Sequence, residues 1–177
     1  MKCAKSMRSL LLILVPVLIL AGCGKQESQR QPPPITTPGE KMTLVVFGAK
    51  YCEVCKSKFP EIQKLLNDLP ADSKKRLSVK LYVTAGAPPD EHPTEEIAIQ
   101  YRNDYMPGVT TVLPDLPWRC GNYQKILSDY KDKKKCIVPA AAVLNEKGET
   151  VKYFPPGNST FVSQEIVGFA KARVKGQ

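Results

Sequence analysis

The feature that most constrains this chain is a pair of cysteines, Cys52 and Cys55, which follows an apolar segment of β-strand type that ends at Gly48. A helical pattern begins at the pair, and this spacing corresponds to about one turn of helix. The two sulfur atoms therefore face each other and can close a small disulfide. Cys52 stands at the predicted helix start, where free backbone N–H groups and the helix dipole favour the thiolate, the form that attacks disulfides. The spacing predicts a redox-active pair.

The residues around this pair resemble the active-site segment of the thioredoxin superfamily. Pro60, which follows Cys55 in the same predicted helix, matches the proline that kinks the active-site helix in that family. Within the superfamily, the segment is most similar to the TlpA/ResA-like branch of extracytoplasmic reductases. The residues shared with that branch are Tyr51, Cys52, Glu53, Cys55, Lys56, Phe59 and Pro60.

The resemblance implies a fold and a set of site residues. We expect an α/β, thioredoxin-like fold in which helices flank a central mixed β-sheet, with an insertion before the strand that opens at a cis proline. Cys52 and Cys55 are then the catalytic residues, and Tyr51, Glu53 and Val54 contact the substrate. We expect no cofactor and no bound metal ion.

Two positions differ from the pattern of the family. The TlpA/ResA-like branch often places a glutamate two residues before the kink proline, and this chain has Lys58 there. Many thioredoxins bury an acid on the strand before the site, and this chain has Val46 at that position. Both differences leave the proton relay of the reaction without an assigned residue.

A second apolar segment begins at Cys136 and ends in a polar turn at Gly148. It is predicted to be a strand that pairs with a following strand over Thr150–Phe154. Pro139 matches the position of a proline that is cis in the thioredoxin family and packs against the cysteine pair. Because a cis X-Pro bond turns the chain sharply, the resemblance implies that the backbone of Val138 is presented to an extended substrate segment.

The remaining periodicities predict an alternation of strands and helices. Leu77–Val83 alternates apolar and polar residues, which predicts a strand parallel to the first because a helix connects the two. The other predicted elements are a strand at Thr43–Phe47, a helix from the cysteine pair to about Leu69, a helix at Thr94–Tyr105, a short strand at Val109–Leu113, a helix at Tyr123–Tyr130, and a last helix at Thr160–Val174 with Asn158 or Ser159 as its cap.

Two further cysteines, Cys120 and Cys136, lie in the later part of the chain. In an oxidising, exported compartment, two such residues most simply form a structural disulfide. A second interpretation is that Cys136 lies near the active site and exchanges electrons with Cys52. A third is metal binding with His92, the only histidine, although its place in a proline-rich segment predicts a solvent-exposed residue.

The N-terminal region predicts export and lipidation. Residues 1–22 combine three basic residues, no acid and a short apolar run, and they end in Leu-Ala-Gly before Cys23. This pattern resembles the lipobox of bacterial lipoproteins, so residues 1–22 are predicted to be a lipoprotein signal peptide and Cys23 to carry lipid. A plain secretory signal is the alternative. Residues 23–41 are rich in Pro and Gln and predict a flexible tether, and residues 42–177 predict the thioredoxin-like domain.

The charge and the residue after the lipid site bear on location and partners. Removal of residues 1–22 lowers the formal charge from +9 to +6, because the segment carries three positive charges and no negative one. No nucleic-acid motif accompanies this charge, so we expect no nucleic-acid partner. Because Gly24 rather than Asp follows Cys23, the resemblance implies a cell-envelope protein anchored, in a Gram-negative cell, to the periplasmic side of the outer membrane. The implied partners are protein thiols and disulfides and a membrane electron donor, with the protein itself a monomer.

The expected activity is that of a membrane-anchored thiol–disulfide oxidoreductase that reduces protein disulfides. The helix terminus lowers the pKa of Cys52 and an ionised Glu53 opposes this, so we expect a pKa nearer about 7 than about 3.5. A less stabilised thiolate accompanies a less oxidising disulfide, which favours a reductase. One alternative is a binding lipoprotein that keeps the fold without catalysis. Another is a thiol peroxidase, which would need a threonine where this chain has Ala49.

Overall fold

The residues that the computed structural model describes are 39–84, 93–115, 120–127, 136–156 and 161–175. They belong to one compact unit, Pro32–Gln177. None of the helices among these residues is long and apolar enough to cross a bilayer. The predictions that lie outside the described residues are the signal peptide, Cys23, most of the tether, His92, residues 128–130 of the helix predicted at Tyr123–Tyr130, the caps Asn158 and Ser159, and the predicted helix start at Thr160.

Five strands and five helices are described in this unit. In chain order they are β1 (Met42–Gly48), α1 (Glu53–Asn67), α2 (Ala71–Arg76), β2 (Leu77–Val83), α3 (Glu95–Tyr105), β3 (Thr111–Pro114), α4 (Gly121–Ile126), β4 (Ala140–Leu144), β5 (Thr150–Phe154) and α5 (Ser163–Lys175).

The strands form one mixed sheet in the order β3-β2-β1-β4-β5. β1, β2 and β3 run parallel, whereas β4 is antiparallel to both of its neighbours, β1 and β5. The outer strands are short: β3 has four residues and ends at Pro114, and β5 has five and is followed by Pro155 and Pro156. The predicted fold class, a mixed sheet flanked by helices, is confirmed.

The central strand β1 is buried on both faces of the sheet. Leu44 and Val46 contribute to a cluster that includes residues of α1, α3 and α5. Val45 and Phe47 contribute to a second cluster, which includes residues of α4 and β4. Because both faces are covered, β1 is almost continuously apolar, as expected for a central strand with parallel pairing.

Helix α1 packs one apolar face on the first of these clusters. Its buried apolar residues recur at helical spacing: Cys55, Phe59, Ile62 and Leu66. The ring of Phe59 lies under the end of β1, where a Cβ on Gly48 would come within 2.5 Å of a ring carbon. Only glycine fits this position without a shift, so the end of β1 and the start of α1 approach each other closely.

Helix α3 covers the side of α1 with aromatic residues. The rings of Phe59 and Tyr101 meet edge to face with centroids 6.0 Å apart, and Tyr101 and Tyr105 lie 4.9 Å apart. The Tyr101 hydroxyl is buried and has no hydrogen-bond partner among the described residues. Burial also raises the pKa of Tyr101, so this side chain is a neutral core residue between two helices.

The predicted boundaries differ from the structure at several elements. The first helix ends at Asn67, and a separate helix, α2, follows Pro70 that the sequence pattern did not predict. β3 begins at Thr111 because the turn at Pro107 and Gly108 continues to Val109, whose backbone N–H bonds to the carbonyl of Met106. The last helix begins at Ser163, so Val162, which was predicted to lie within it, precedes the helix and is 39% exposed.

Candidate active site

Cys52 and Cys55 are joined in a disulfide at the start of α1, with Cα atoms 5.3 Å apart. Cys52 is 8% exposed, whereas Cys55 is 0% exposed within the cluster between α1 and the sheet. The two sulfurs are therefore unequal. Only Cys52 is open to an incoming group, and Cys55 lies behind it.

Local hydrogen bonding makes Cys52 the N-cap of α1. Its backbone is extended (φ −85°, ψ 99°), and its Sγ accepts a hydrogen bond from the backbone N–H of Cys55 at 3.1 Å. Its own N–H donates to the carbonyl of Ala49 at 2.9 Å, which closes the turn after β1. The sulfur thus occupies the place of the oxygen in an ordinary N-cap, where the positive end of the helix dipole stabilises a thiolate.

Two ion pairs lie on the first turns of α1 near the cysteines, and Lys50, the other charged residue close to Cys52 in sequence, is exposed to solvent. Glu53 and Lys56 form an ion pair at 2.5 Å on the first turn of α1. The hydrogen bond from Lys56 to Glu53 raises the pKa of Lys56. Lys58, which stands where the related branch often has a glutamate, is paired with Glu61 at 3.2 Å. The electrostatic support of a Cys52 thiolate therefore comes mainly from the helix terminus.

No buried acid lies on the strand that leads to the pair. Val46 is 0% exposed and forms part of the same apolar cluster as Cys55. The end of this strand is tied to β2 instead, because the carbonyl of Gly48 accepts hydrogen bonds from the backbone N–H and the hydroxyl of Thr84, at 2.8 and 3.2 Å. The surroundings of Cys55 on β1 are therefore apolar.

The peptide bond between Val138 and Pro139 is cis and directly precedes β4. Ala140, the first residue of β4, pairs with Phe47 near the end of β1. This register places the cis bond at the same end of the sheet as the start of α1. Val138 also packs against the cluster that contains both Cys52 and Cys55. The structure thus places the cysteine pair and the segment around Pro139 next to each other, as the sequence analysis predicted.

Apolar side chains are exposed at this end of the sheet. Tyr51, directly before Cys52, is 46% exposed, and Ile137, directly before Val138, is 43% exposed. Glu53 is exposed as well, and Val54 is half-buried. Large exposed apolar residues beside a reactive group are typical of a binding surface for another chain.

Cys120 and Cys136 are joined in a second disulfide, with Cα atoms 5.9 Å apart. Cys120 directly precedes α4 and is buried in the cluster on the face of the sheet that carries α4, and Cys136 packs on the same cluster. Cys52 and Cys55 belong to the cluster on the opposite face. The two disulfides therefore serve separate packing layers, which agrees better with a structural bond than with a relay to Cys52.

Two functional candidates on this second face were missed from the sequence. Asp115, at the end of β3, is 0% exposed, and its carboxylate accepts hydrogen bonds from the N–H groups of Asn122 and Tyr123. Burial raises the pKa of the Asp115 carboxyl to about 6, while these hydrogen bonds act to lower it. The Tyr123 hydroxyl donates to the carbonyl of Ile137 at 3.1 Å. The residues that these hydrogen bonds join are not spaced in the sequence as in any recognised motif, so the sequence alone did not predict them.

The described residues contain no cluster of three or more side chains that could hold a metal ion. Apart from the disulfide pairs, the site is built from backbone groups, apolar side chains and paired charges. The chemistry that this arrangement can perform is therefore thiol–disulfide exchange at Cys52.

The sheet order, with a disulfide at the start of α1 and a cis proline before β4, is that of a thioredoxin-like fold. No protein-family model and no curated protein matches the sequence. Among solved structures, the chain is similar to apo Sco1 of Thermus thermophilus, with a TM-score of 0.52 and 16% identity over 76% of this chain and 80% of that chain.

Two further solved structures are similar to the chain. One is a candidate protein disulfide isomerase of Bacteroides thetaiotaomicron, with a TM-score of 0.51 and 18% identity over 78% of this chain and 76% of that chain. The other is a secreted disulfide oxidoreductase of Mycobacterium tuberculosis, with a TM-score of 0.48 and 12% identity over 76% of this chain and 83% of that chain. At such identities a likeness establishes the fold alone, and the two structures with TM-scores above 0.5, those from Thermus thermophilus and Bacteroides thetaiotaomicron, confirm the predicted thioredoxin-like fold.

Proposed function

We propose that this protein is a thiol–disulfide oxidoreductase that acts on protein substrates through Cys52 and Cys55. One observation carries the proposal: Cys52, which retains 8% of its surface exposed, caps a helix with its sulfur and is bonded to Cys55, which is completely buried. A disulfide with a structural role alone has no need of a helix terminus that stabilises one of its thiolates. The nearby cis proline and the exposed apolar residues give a client polypeptide a place to bind.

The proposed reaction consists of two exchanges. The Cys52 thiolate attacks a client disulfide, so a Cys52–client bond forms, the client S–S bond breaks, and one client sulfur leaves as a thiolate. Cys55, once deprotonated, attacks Sγ of Cys52, closes the Cys52–Cys55 disulfide and releases the second client sulfur. Two electrons pass to the client, and the two protons of the protein dithiol end on the client thiols. A dithiol donor restores the reduced protein by the reverse steps.

The client segment is proposed to bind in extended form across the cis-proline end of β4. The backbone of Val138 would pair with it as a strand does, and Pro139 would pack against the mixed disulfide. Tyr51, Glu53 and Val54, at the start of α1, would contact the residues beside the client cysteine. This arrangement requires few specific side-chain contacts, which suits an enzyme with several clients.

The proposed direction is reduction of the client. The Glu53–Lys56 ion pair leaves little net charge beside Cys52, so the thiolate is stabilised mainly by the helix terminus, by about 0.3 to 1 kcal/mol. A small stabilisation of the thiolate corresponds to a reducing pair. We expect a reduction potential, measured against glutathione buffers, nearer about −270 mV than about −120 mV. A value at the oxidising end would assign the protein to disulfide formation instead.

A membrane location is proposed from the N-terminal sequence alone. Lipid on Cys23 would anchor the domain in the cell envelope through the tether, on the periplasmic side of the outer membrane in a Gram-negative cell, with a membrane protein as dithiol donor. Expressed in its native host, the full chain should incorporate labelled palmitate, and Cys23→Ser should not. Labelling that persists in the variant would exclude this site.

The proposed function is tested by trapping a client on Cys52. We expect Cys55→Ala to accumulate Cys52–client disulfides, visible as thiol-sensitive bands on non-reducing gels, because the resolving sulfur is missing. Alanine suits the trap better than serine, since a hydroxyl at this 0% exposed position would lack a partner in an apolar cluster. Cys52→Ala combined with Cys55→Ala is the matched control. Equal bands from both variants, or none from either, would argue against the proposal.

A further inference from the structure

The segment Cys136–Pro139, here called the docking segment, presents the backbone to which a client is proposed to bind. At its C-terminal end it continues into β4, which is held by pairing with β1. At its other end its contacts are to α4 and to the residue directly before α4, on the second face of the sheet. These contacts are not used by the exchange reaction, so they need a separate explanation.

The first contact is the hydrogen bond from the Tyr123 hydroxyl to the Ile137 carbonyl, at 3.1 Å. Tyr123 is 7% exposed, and its ring meets that of Phe47 edge to face with centroids 5.0 Å apart. Phe47 in turn pairs with Ala140, the residue that follows the docking segment. The donor is therefore held by the same strands as the segment that it contacts.

The second contact is the disulfide between Cys120 and Cys136. Because Cys120 directly precedes α4, two consecutive residues of the docking segment, Cys136 and Ile137, are attached to the same short helix region. A six-residue helix is too short to be stable without support from the rest of the fold. The support must come from elsewhere on this face.

Asp115 provides that support. Its carboxylate accepts the N–H of Asn122 at 2.6 Å and that of Tyr123 at 3.3 Å, so it satisfies two free donors at the start of α4. Its own backbone N–H donates to the carbonyl of Val83 at the end of β2. A continuous series of bonds thus leads from the sheet, through α4, to the Ile137 carbonyl.

Fixing this carbonyl also fixes the neighbouring N–H. The carbonyl of Ile137 and the N–H of Val138 belong to one planar peptide unit, and in a trans unit they point in opposite directions. Because the carbonyl points toward Tyr123, the Val138 N–H points away from α4. This N–H is one of the two backbone groups of Val138 that strand-like pairing with a client would use.

We propose that Tyr123 is a positioning residue for client binding: its hydroxyl sets the peptide plane that aims the Val138 N–H at the bound polypeptide. This inference rests on the proposed function and adds a determinant of polypeptide affinity to it. Tyr123 and the two sulfurs of the redox pair lie in clusters on opposite faces of the sheet. Its loss should therefore weaken polypeptide binding without changing the reactivity of Cys52.

The test compares Tyr123→Phe with the wild type on two substrates. For a disulfide-bonded polypeptide such as insulin, we expect KM to rise about fivefold with kcat unchanged, which corresponds to about 1 kcal/mol, a typical net contribution of one hydrogen bond. For a small aromatic disulfide such as DTNB, which has no backbone to pair, the rate constant with the reduced protein should stay within about 1.5-fold of the wild type. A positioning role requires this difference between the substrates.

Tyr101→Phe is the matched control. It also removes one buried hydroxyl from a tyrosine, but that hydroxyl has no partner among the described residues, so KM for insulin should not change. A second test detaches the docking segment at its other contact. Cys120→Ala combined with Cys136→Ala should raise KM for insulin in the same direction as Tyr123→Phe, with DTNB reactivity retained.

The possible outcomes test the role of Tyr123 separately from the proposed function. The inference is wrong if Tyr123→Phe keeps the wild-type KM for insulin, whatever the double alanine variant shows, or if both substrates slow to the same extent, which would indicate a purely structural role. A wild type that reacts with neither insulin nor DTNB would overturn the proposed function, and with it this inference. A wild type that reacts with both, alongside variants that match it, would overturn the inference alone.

Discussion

Replacing Cys52 by serine is expected to abolish insulin reduction, with a loss of at least about a thousandfold. A serine hydroxyl is not ionised near neutral pH and cannot form a mixed disulfide, so both exchanges of the cycle are blocked at the first step. The change is measured as the rate of insulin reduction in dithiothreitol. A variant that retained a tenth of the wild-type rate would show that Cys52 is not the attacking sulfur.

The fold should survive this substitution, which makes the experiment decisive. Cys52 is the N-cap of α1 and accepts the N–H of Cys55, and serine is among the residues preferred at that position. The lost disulfide closes only a short loop, so the comparison is made with reduced wild type, in which that bond is already open. We expect equal free energies of unfolding in urea for the variant and the reduced wild type. A large difference would mean that lost activity reflects lost structure.

The second large effect is a loss of stability as Asp115 ionises. Its carboxyl has a pKa of about 6 in the folded protein, against an ordinary value of 3.8, because burial penalises the charged form. The folded state therefore holds this proton more tightly than the unfolded state does. The resulting stabilisation is complete below about pH 4 and is lost as the pH rises through about 6. At about 1.4 kcal/mol per pH unit, the free energy of unfolding should fall by about 3 kcal/mol over this window.

This prediction is measured as a difference between the wild type and Asp115→Asn, by urea unfolding at several pH values. Other carboxyls act in the opposite direction. The hydrogen bond from Ser163 lowers the pKa of Glu61, and the pKa of Glu96 is lowered by its own backbone N–H and by Thr94. These contributions are common to both proteins and cancel in the difference. Asp72→Asn is the matched control for the loss of one carboxyl, because it removes an exposed carboxyl that is paired with Lys75.

A difference between the wild type and Asp115→Asn that stayed constant from pH 4 to pH 7 would contradict the assignment. If the wild type instead became more stable relative to Asp115→Asn as the pH rose, the pKa of Asp115 would be lowered in the folded protein. The two N–H donors would then affect this pKa more than burial does.

The sequence predicted those parts of the fold that depend on short-range patterns. The spacing of Cys52 and Cys55 requires only one helical turn, and the alternation in β2 requires only its own residues. The resemblance supplied the position of Pro139. These features are local, so a single sequence carries enough information to recognise them.

The parts that were missed depend on distant contacts or on weak patterns. Helix α2 has the sequence Ala-Asp-Ser-Lys-Lys-Arg, with no apolar periodicity, so only its packing reveals it. The position of β3 beside β2 follows from a connection through α3 that no residue pattern fixes. The bonds of Asp115 and Tyr123 join elements that are distant along the chain, and neither residue stands in a recognisable motif.

The short outer strands have a consequence for a protein that meets partly unfolded chains. An exposed strand edge is a template on which another extended chain can continue the sheet, and such growth leads to aggregation. Among the residues that the structure describes, one outer strand of the sheet is β3, which ends at Pro114, and the other is β5, which carries an exposed Lys152 and is followed by two prolines. Proline and lysine at the edge of a sheet oppose such growth, so both outer strands disfavour the addition of an extended client chain to the sheet.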